Sequence, residues 1–189
     1  MITVYIKRIE SIPENEKQNI INSLSSSAKE RLNKKRNEDL YLASICALSL
    51  LNNKQRESLE YNQNGRPFFS NLDADISISH SKTHVAVAIS TNANEKVGID
   101  IENEEKNNPS TRFFTENEKK AMQINQKFIE IWTKKEALFK FLKDDSSSFI
   151  SLDSTTPEKY GAAFTADQID KSILTVCSAP GTQIEIIKK

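Results

Sequence analysis

Apolar and polar residues alternate along several short segments of the chain, and this period of two is typical of strands. The first segment runs from Ile2 to Ile9. Three more follow one another closely in the middle of the chain, and their short connections favour antiparallel pairing. Their apolar positions are Ile76 and Ile78, then Val85, Val87 and Ile89, then Val97, Ile99 and Ile101. Weaker strand patterns cover Phe149 to Leu152, Tyr160 to Phe164, Ile173 to Cys177 and Ile184 to Ile187.

Helical patterns occupy much of the first sixty residues. A short helix is predicted after Pro13, since proline is tolerated in a first helical turn. A long helix is predicted from Ser27 to about Asn52, with a charged first half and an apolar second half. Such a change indicates a helix that starts at the surface and enters a core. Turn-forming residues gather between Asn62 and Asn71.

The second half of the chain repeats the order of helix and then strands. A polar segment from Asn103 to Thr111 is a plausible join between two halves. Thr115 and Glu118 have the spacing of a capping box, and a helix is predicted from about Gln126 to Lys143. A serine-rich turn, Ser146 to Ser148, precedes the weaker strands. The repeated order predicts an α+β fold of pseudo-duplicated halves.

Composition narrows the possible partners. The 189 residues include 26 basic and 26 acidic side chains, so the net charge is zero and offers no overall field for nucleic acid or an anionic membrane. Cys46 and Cys177 lie far apart in apolar stretches and are expected to be buried, reduced thiols. The sequence shows neither a membrane-spanning run nor the core of a signal peptide. We therefore expect a cytoplasmic protein that binds neither nucleic acid nor membranes.

The segment from Val97 to Glu102 is a candidate metal site. Side chains alternate between the faces of a strand, so Gly98, Asp100 and Glu102 share the face opposite the apolar trio. Their two carboxylates start roughly 6.7 Å apart and can both reach one hard cation. Gly98 leaves space beside them for a ligand or another backbone. The alternative is an edge strand whose outer face is merely solvated.

Three further segments carry charged or polar candidates. Glu136 and Lys140 are four residues apart on one helical face, as a third ligand and a phosphate-binding cation or as an ordinary surface ion pair. His80 falls in a turn rich in hydroxyl groups that suits an anion; for His84 an accidental surface position is preferred. Arg66, on a rigid turn, is either a phosphate partner or a surface arginine.

Taken in order, these segments resemble the 4′-phosphopantetheinyl transferase superfamily, and more closely its larger, pseudo-dimeric surfactin-synthetase-activator type. The resemblance rests on five motifs that stand between about residues 65 and 140. They are Gly65-Arg66-Pro67, Ile78-Ser79-His80-Ser81, Gly98-Ile99-Asp100-Ile101-Glu102, Arg112-Phe113-Phe114-Thr115 with Glu118, and Trp132-Thr133-Lys134-Lys135-Glu136-Ala137 with Lys140. The strand and helix motifs together are highly specific.

The resemblance implies a fold of two similar α/β halves in a pseudo-two-fold arrangement, with the site in the cleft between them. Residues 1–103 would form the first half and 104–189 the second. It implies a usually monomeric enzyme that moves the phosphopantetheine arm of coenzyme A to a serine of an apo acyl carrier protein or carrier domain. Adenosine 3′,5′-bisphosphate would be released.

The same resemblance implies roles for individual residues. Asp100, Glu102 and Glu136 would hold Mg²⁺, for which Mn²⁺ is an alternative because both accept oxygen ligands. Glu136 would also accept the serine proton, directly or through water. Coenzyme A would be bound by a set of polar and basic residues, of which His80 and Lys140 would also be catalytic. That set is Arg66, Ser79, His80, Lys135 and Lys140.

Two departures from the family pattern keep alternatives open. Lys140 is not followed by the usual glycine-containing turn, and the family's basic residues for the 3′-phosphate do not align cleanly within Lys29 to Arg36, where Lys34 and Arg36 remain candidates. One alternative is a catalytically silent relative that binds coenzyme A or a carrier protein without transfer. The other, a metal-dependent phosphodiesterase, fits less well because this chain has two histidines.

Overall fold

The structure, a computed structural model, describes residues 1–105, 110–124, 127–142 and 148–189. In these ranges it has nine strands and six α-helices. The strands are β1 (Ile2–Arg8), β2 (Leu59–Tyr61), β3 (Pro67–Phe69), β4 (Ile76–His80), β5 (His84–Ser90), β6 (Gly98–Asn103), β7 (Ala163–Ile169), β8 (Ser172–Ser178) and β9 (Ile184–Lys188). The helices are α1 (Glu14–Asn22), α2 (Ser26–Asn33), α3 (Glu38–Ser49), α4 (Asn53–Ser58), α5 (Glu116–Ile124) and α6 (Phe128–Leu142).

Two main sheets organise the core. The first has the strand order β4-β5-β1-β9, in which β9 runs parallel to β1 and the other pairs are antiparallel. The second has the order β6-β8-β7 and is antiparallel. A small hairpin of β2 and β3 lies beside them. The mixed α+β class is therefore confirmed.

The alternating side chains of β5 show how the layers stack. Val85, Val87 and Ile89 belong to one core with α1, α2 and α3, whereas Ala86 and Ala88 face a second core. That second core lies between the two sheets and contains apolar residues of β1, β6 and β8. The far face of the second sheet packs against α6. The order of layers is helices, sheet, sheet, helix.

Several strand and helix predictions are confirmed. The predicted first strand, the helix after Pro13 and the three central strands all form, and β4 pairs with β5 in the antiparallel sense. The third central strand, β6, does not continue this pairing and instead joins β8 in the other sheet. The capping box also forms, because Thr115 Oγ1 accepts from the Glu118 N–H and Glu118 Oε2 accepts from the Thr115 N–H.

Two predictions of secondary structure are wrong. The single helix predicted from Ser27 to Asn52 is broken between α2 and α3, where the Asn37 side chain accepts a hydrogen bond from the Leu40 N–H and starts a new helix. The strand predicted from Phe149 to Leu152 is a 3₁₀ turn, Phe149–Ser151. Similarly, Tyr160 ends a 3₁₀ turn, and β7 begins at Ala163.

Parts of other predictions lie outside the described residues, namely 106–109 in the polar join, 125–126 and 143 at the ends of the predicted helix, and 146–147 in the serine-rich turn. The pseudo-two-fold relation and the division at residue 103 stay predictions. Two strand pairings cross that division, since β6 joins β8 and β9 joins β1.

The buried thiols agree with expectation, as Cys46 and Cys177 are both free and buried. Burial raises the pKa of Cys177 far above its ordinary value. The longest described helix, α6, has 15 residues. Within the described ranges, none of the helices combines the length and apolar character needed to cross a membrane.

Candidate active site

Strands β4 and β6 lie side by side without pairing through their backbones. Side-chain oxygens at alternate positions of β4 and its approach accept hydrogen bonds from alternate backbone N–H groups of β6. The pairs are Asp75 with Val97 at 2.9 Å, Ser77 with Ile99 at 3.1 Å and Ser79 with Ile101 at 3.4 Å. This seam joins the two sheets and brings the serine-histidine motif beside the Asp-Glu strand.

Gly98 and Asp100 point from β6 toward α6, as the alternation of faces predicts. A Cβ at Gly98 would lie 2.0 Å from the carbonyl oxygen of Ala137 and 2.5 Å from the backbone nitrogen of Phe141. Real Cβ atoms never come so close to backbone, so glycine is what lets the helix lie directly on the strand. The close packing places the end of α6 over Asp100.

Asp100 is the centre of the polar contacts on this face, with 3% of its surface exposed. Its Oδ1 accepts hydrogen bonds from Ser79 Oγ at 2.7 Å and from Lys140 Nζ at 2.8 Å. Its Oδ2 is buried and has no hydrogen-bond partner among the described residues. A buried carboxylate oxygen in this condition is costly, and its chemistry suits a ligand of a hard cation.

Lys140 reaches the site from the last turn of α6. Besides Asp100, its ammonium group donates to the carbonyl of Ile99 at 2.9 Å and to Ser79 Oγ at 3.1 Å. Arg66 holds the backbone at the same point, because its guanidinium donates to the carbonyl of Lys140 and, at 3.4 Å, to that of Val97. Three sequence motifs that are distant in the chain thus meet around one carboxylate.

The other predicted site residues lie around this centre. His80 is exposed at the end of β4 and, with the half-buried Glu102, lines a hollow of about 660 Å³. Glu136 is half-buried on α6, one helical turn before Lys140. All three make contacts with the rest of the protein. Within the described part of the chain, however, no three acidic, histidine or cysteine side chains are gathered closely enough to hold a metal ion.

The fit to a divalent cation is accordingly partial. Asp100 Oδ2 provides one open, buried carboxylate oxygen, which is the ligand type that Mg²⁺ prefers. The remaining oxygen of Asp100 is engaged by Ser79 and Lys140. In the present arrangement, the positive charge beside Asp100 is supplied by Lys140.

Lys135 is not brought to this site. Its side chain is fully buried, and its ammonium donates to Glu118 Oε2 at 2.8 Å and to the carbonyl of Leu152. The other oxygen of Glu118 accepts from the Ser154 N–H at 3.0 Å and from its hydroxyl at 2.7 Å. Through these hydrogen bonds, the pair of Lys135 and Glu118 joins α5, α6 and the segment from Leu152 to Ser154.

The Arg-Phe-Phe-Thr motif packs against α6 and belongs to the scaffold. Phe113 and Phe114 both contact the ring of Trp132 edge-on, with centroids 6.3 and 6.0 Å away. Phe128 and Phe149 complete this aromatic cluster. Together with the capping box, the cluster fixes α5 against α6. These residues position the helix that carries Glu136 and Lys140.

A basic cleft lies between α2, α3 and β4, with a volume of about 220 Å³. Arg31 and Lys35 line it, and it meets the larger hollow at His80. Burial and the neighbouring Arg31 charge lower the pKa of Lys35. Two cations held together in a cleft suit an anionic group.

Arg31 and Lys35 are the residues that sequence reasoning missed. The sequence candidates Lys34 and Arg36 are not among the residues that line the cleft, and Lys34 pairs with Glu30 at 2.6 Å. Helical spacing gave no signal for the pair, because α2 ends at Asn33 and Lys35 lies beyond the helix. Gly65 completes the cleft wall. Its φ of +78° is a left-handed conformation that favours glycine, and the atom nearest to an added Cβ is Arg31 Nη1 at 2.8 Å, at the end of a flexible side chain.

His84 differs from expectation in another way. It is 6% exposed rather than lying at the surface. Its Nε2 is 3.3 Å from Asp170 Oδ2, and its Nδ1 is 2.9 Å from the hydroxyl of Thr83. Burial is the largest cause that lowers its pKa from the ordinary 6.5; Asp170 opposes this shift and Arg8 adds to it. His84 therefore links β5 to the turn between β7 and β8.

Comparison with known proteins adds one finding. Among curated proteins, none matches this chain significantly. The segment that begins just before β6 and ends just after β8 does match a protein family. It contains Asp100, Glu102, Glu136 and Lys140. By this match, residues 96–179 are similar to the 4′-phosphopantetheinyl transferase superfamily.

Proposed function

We propose that the protein transfers the 4′-phosphopantetheine arm of coenzyme A to a serine of an apo carrier protein, with release of adenosine 3′,5′-bisphosphate. The observation that carries the proposal is the meeting of Ser79, Asp100 and Lys140, from three separate motifs, inside and beside the matched segment. A surface ion pair would not require a carboxylate that is 3% exposed, on a strand that α6 covers directly. The acceptor is a fatty-acid carrier protein or a carrier domain of a peptide or polyketide synthase.

The basic cleft supports binding of the nucleotide part of coenzyme A. In the proposal, Arg31 and Lys35 bind the 3′-phosphate of coenzyme A, as a charge-assisted pair would. Tyr61 also lines the cleft, and the Arg31 guanidinium lies 4.5 Å above the Tyr61 ring. The cleft leads to His80, which we assign to the pyrophosphate. A ligand lying along this path would reach Lys140 with its phosphates.

The reaction needs charge neutralisation and a proton acceptor. The carrier serine oxygen forms a bond to the β-phosphorus of coenzyme A, and the phosphoanhydride bond to the adenosine bisphosphate breaks. Glu136 accepts the serine proton directly or through water, and Lys140 stabilises the charge on the phosphates. Arg66 acts near the nucleotide by holding the end of α6. The resemblance assigns Lys135 to coenzyme A binding. In this proposal Lys135 acts indirectly, because its buried ion pair with Glu118 holds α6 against α5.

We propose Asp100, Glu102 and Glu136 as the residues that hold Mg²⁺ or Mn²⁺. Once bound, the ion would supply positive charge to the pyrophosphate oxygens. The open Asp100 Oδ2 supports this assignment. The engaged Oδ1 and the separate positions of the other carboxylates mean that side chains must move for the ion to bind.

We also propose that the protein is a transferase of the pseudo-dimeric type, in which one chain forms both halves and acts as a monomer. About half of the chain, including β1 to β5 and α1 to α4, precedes the matched segment. This portion contributes Ser79, His80 and the basic cleft. A site that draws on both portions of one chain does not need a second copy.

Intact mass spectrometry of an apo acyl carrier protein tests the proposal. Incubation with coenzyme A, Mg²⁺ and this protein should add one phosphopantetheine, and chelator should prevent the gain. Glu136→Gln should abolish it, whereas the matched Glu130→Gln on the same helix should not. A carrier whose acceptor serine is replaced by alanine should remain unmodified.

A silent relative is the second candidate, favoured by the full engagement of Lys140 with Asp100, Ser79 and Ile99. Direct binding of coenzyme A separates the two functions. Binding without a mass gain on any fatty-acid, peptide or polyketide carrier would support the silent relative. Neither binding nor gain would contradict both.

A further inference from the structure

The ammonium group of Lys140 has no hydrogen left for a ligand. An ammonium carries three donors, and in the structure they go to Asp100 Oδ1, the Ile99 carbonyl and Ser79 Oγ, at 2.8, 2.9 and 3.1 Å. To bind a phosphate, Lys140 must give up at least one of these acceptors. The resting position of Lys140 is therefore not its phosphate-binding position.

The same contact determines what Asp100 can bind. Asp100 is 3% exposed, so the Lys140 charge acts on it through a poorly screened environment. A divalent cation at Oδ2 would lie on the same carboxylate as that ammonium and would be repelled by it. Occupation of Asp100 by Lys140 thus opposes occupation by a metal ion.

Lys140 is able to leave without disturbing the helix. Its side chain is 26% exposed, whereas Asp100 is 5% exposed by the same measure of the side chain. The backbone of residue 140 is held separately, by the bond from the Arg66 guanidinium to its carbonyl. A change of side-chain rotamer moves the charge while α6 stays in place.

We propose that Lys140 is a resident counter-ion of Asp100, which coenzyme A phosphates draw away and whose departure opens Asp100 to a divalent cation. The inference rests on the proposed function for its anionic ligand. Because Lys140 serves either Asp100 or the phosphates, coenzyme A and the cation bind with positive coupling. By linkage, each raises the affinity of the other by the same factor.

Mn²⁺ binding to the protein without coenzyme A is the first test, measured by calorimetry or by the loss of the free-ion paramagnetic resonance signal. Lys140→Gln removes the charge but keeps an amide donor, and it should bind Mn²⁺ roughly tenfold more tightly than the unsubstituted protein. Lys140→Arg keeps the charge and should not. Lys134→Gln, on the same helix but lining a hollow with Asp167 and Gln168 of β7, is the matched control.

Adding Asp100→Asn to Lys140→Gln should remove the gain in Mn²⁺ affinity, which assigns the gain to this carboxylate. In the unsubstituted protein, Mn²⁺ should tighten coenzyme A binding, and in Lys140→Gln this effect should shrink. Equal Mn²⁺ affinity in folded Lys140→Gln and unsubstituted protein would overturn the inference.

A second measurement uses the unsubstituted protein and so does not depend on the folding of a variant. Labelling of lysines with an amine-reactive ester should be slow at Lys140 in the free protein and faster in saturating Mn²⁺, with Lys134 unchanged. An unchanged labelling rate at Lys140 when Mn²⁺ is bound would overturn the inference. If coenzyme A does not bind, the proposed function fails, whereas the Mn²⁺ comparison still decides the role of Lys140.

Discussion

Lys135 and Lys140 lie on one helix and have opposite surroundings. Five residues correspond to a rotation of about 140° around a helix axis, so the two side chains leave α6 in different directions. Lys135 enters a buried contact with Glu118, and Lys140 reaches the partly open carboxylate of Asp100. The first stabilises the scaffold, and the second belongs to the candidate site.

Lys135→Met should lower the free energy of unfolding by about 3–5 kcal/mol, because it leaves the Glu118 carboxylate buried without its counter-charge. Urea unfolding measures the change. The double variant Lys135→Met/Glu118→Gln should recover part of the loss. Lys134→Met on the same helix should have little effect, and equal stability of the Lys134 and Lys135 variants would refute a buried, paired role.

Gly98→Ala should destabilise the protein by about 3 kcal/mol or more, since the added Cβ would meet the backbone of α6 and no side chain can yield to relieve it. The comparison is Gly181→Ala, where nothing lies within 4 Å of the added Cβ and φ is +79°. That variant measures only the cost of the left-handed backbone, about 1–2 kcal/mol. Similar losses in both variants would show that α6 does not lie directly on β6.

Helix α2 and the segment after it present their basic residues in two directions. Arg31 and Lys35 line the cleft, whereas Lys34 pairs with Glu30 outside it. The break after α2 matters here, because in a continuous helix to Asn52 residue 35 would lie on the helix itself, whereas it lies beyond the end of α2. The end of this short helix therefore determines which cations are available to a phosphate.

Lys35→Gln and Arg31→Gln should each weaken binding of adenosine 3′,5′-bisphosphate roughly tenfold, the effect of losing one hydrogen bond from a charged group. Lys34→Gln should leave the dissociation constant unchanged. Calorimetric titration of the three variants gives the comparison. Weaker binding in Lys34→Gln, with Arg31 and Lys35 variants unaffected, would move the phosphate to the outer face.

The sequence predicts an element correctly when the signal for that element lies within the element itself. The period of two in β1, β4, β5 and β6 comes from local burial of alternate residues, and these strands form where expected. The helix break carried a weaker signal, Asn37 followed by Glu38 and Asp39, which is an N-cap with an acidic first turn. Phe149 is predicted to lie in a strand, but its ring packs on Trp132, and such a packing partner is not visible in the local sequence.

The layered arrangement of the molecule explains why the site could be predicted in part. Alternation along β6 indicated that Gly98, Asp100 and Glu102 share a face, but not that α6 covers it. The pairing of Asp100 with Lys140, and of Lys135 with Glu118, depends on how the second sheet meets α6. Such contacts between distant segments are set by the tertiary fold.

His84 makes the joined sheets sensitive to acid. Burial holds its folded-state pKa below 6.5, so below that pH the unfolded chain binds more protons than the folded protein. Stability from this group is therefore lost as pH falls from about 6.5 toward the folded pKa, and it is fully present above 6.5.

The unfolding free energy should fall between pH 7 and pH 5 by a larger amount in the unsubstituted protein than in His84→Gln. Urea unfolding across this range gives the slopes, and comparison of slopes removes any constant cost of the substitution. An unaltered slope in His84→Gln would rule out a buried neutral histidine.

The most direct measurement of the central claim is the rate of phosphopantetheine transfer to an apo carrier protein by Asp100→Asn, beside the unsubstituted protein and Asp167→Asn, whose side chain is 41% exposed. Circular dichroism would first establish that each variant is folded. If the active centre lies at Asp100, Asp100→Asn should be slower by about 100-fold or more, while Asp167→Asn keeps the full rate. Transfer by Asp100→Asn at the unsubstituted rate would contradict the account.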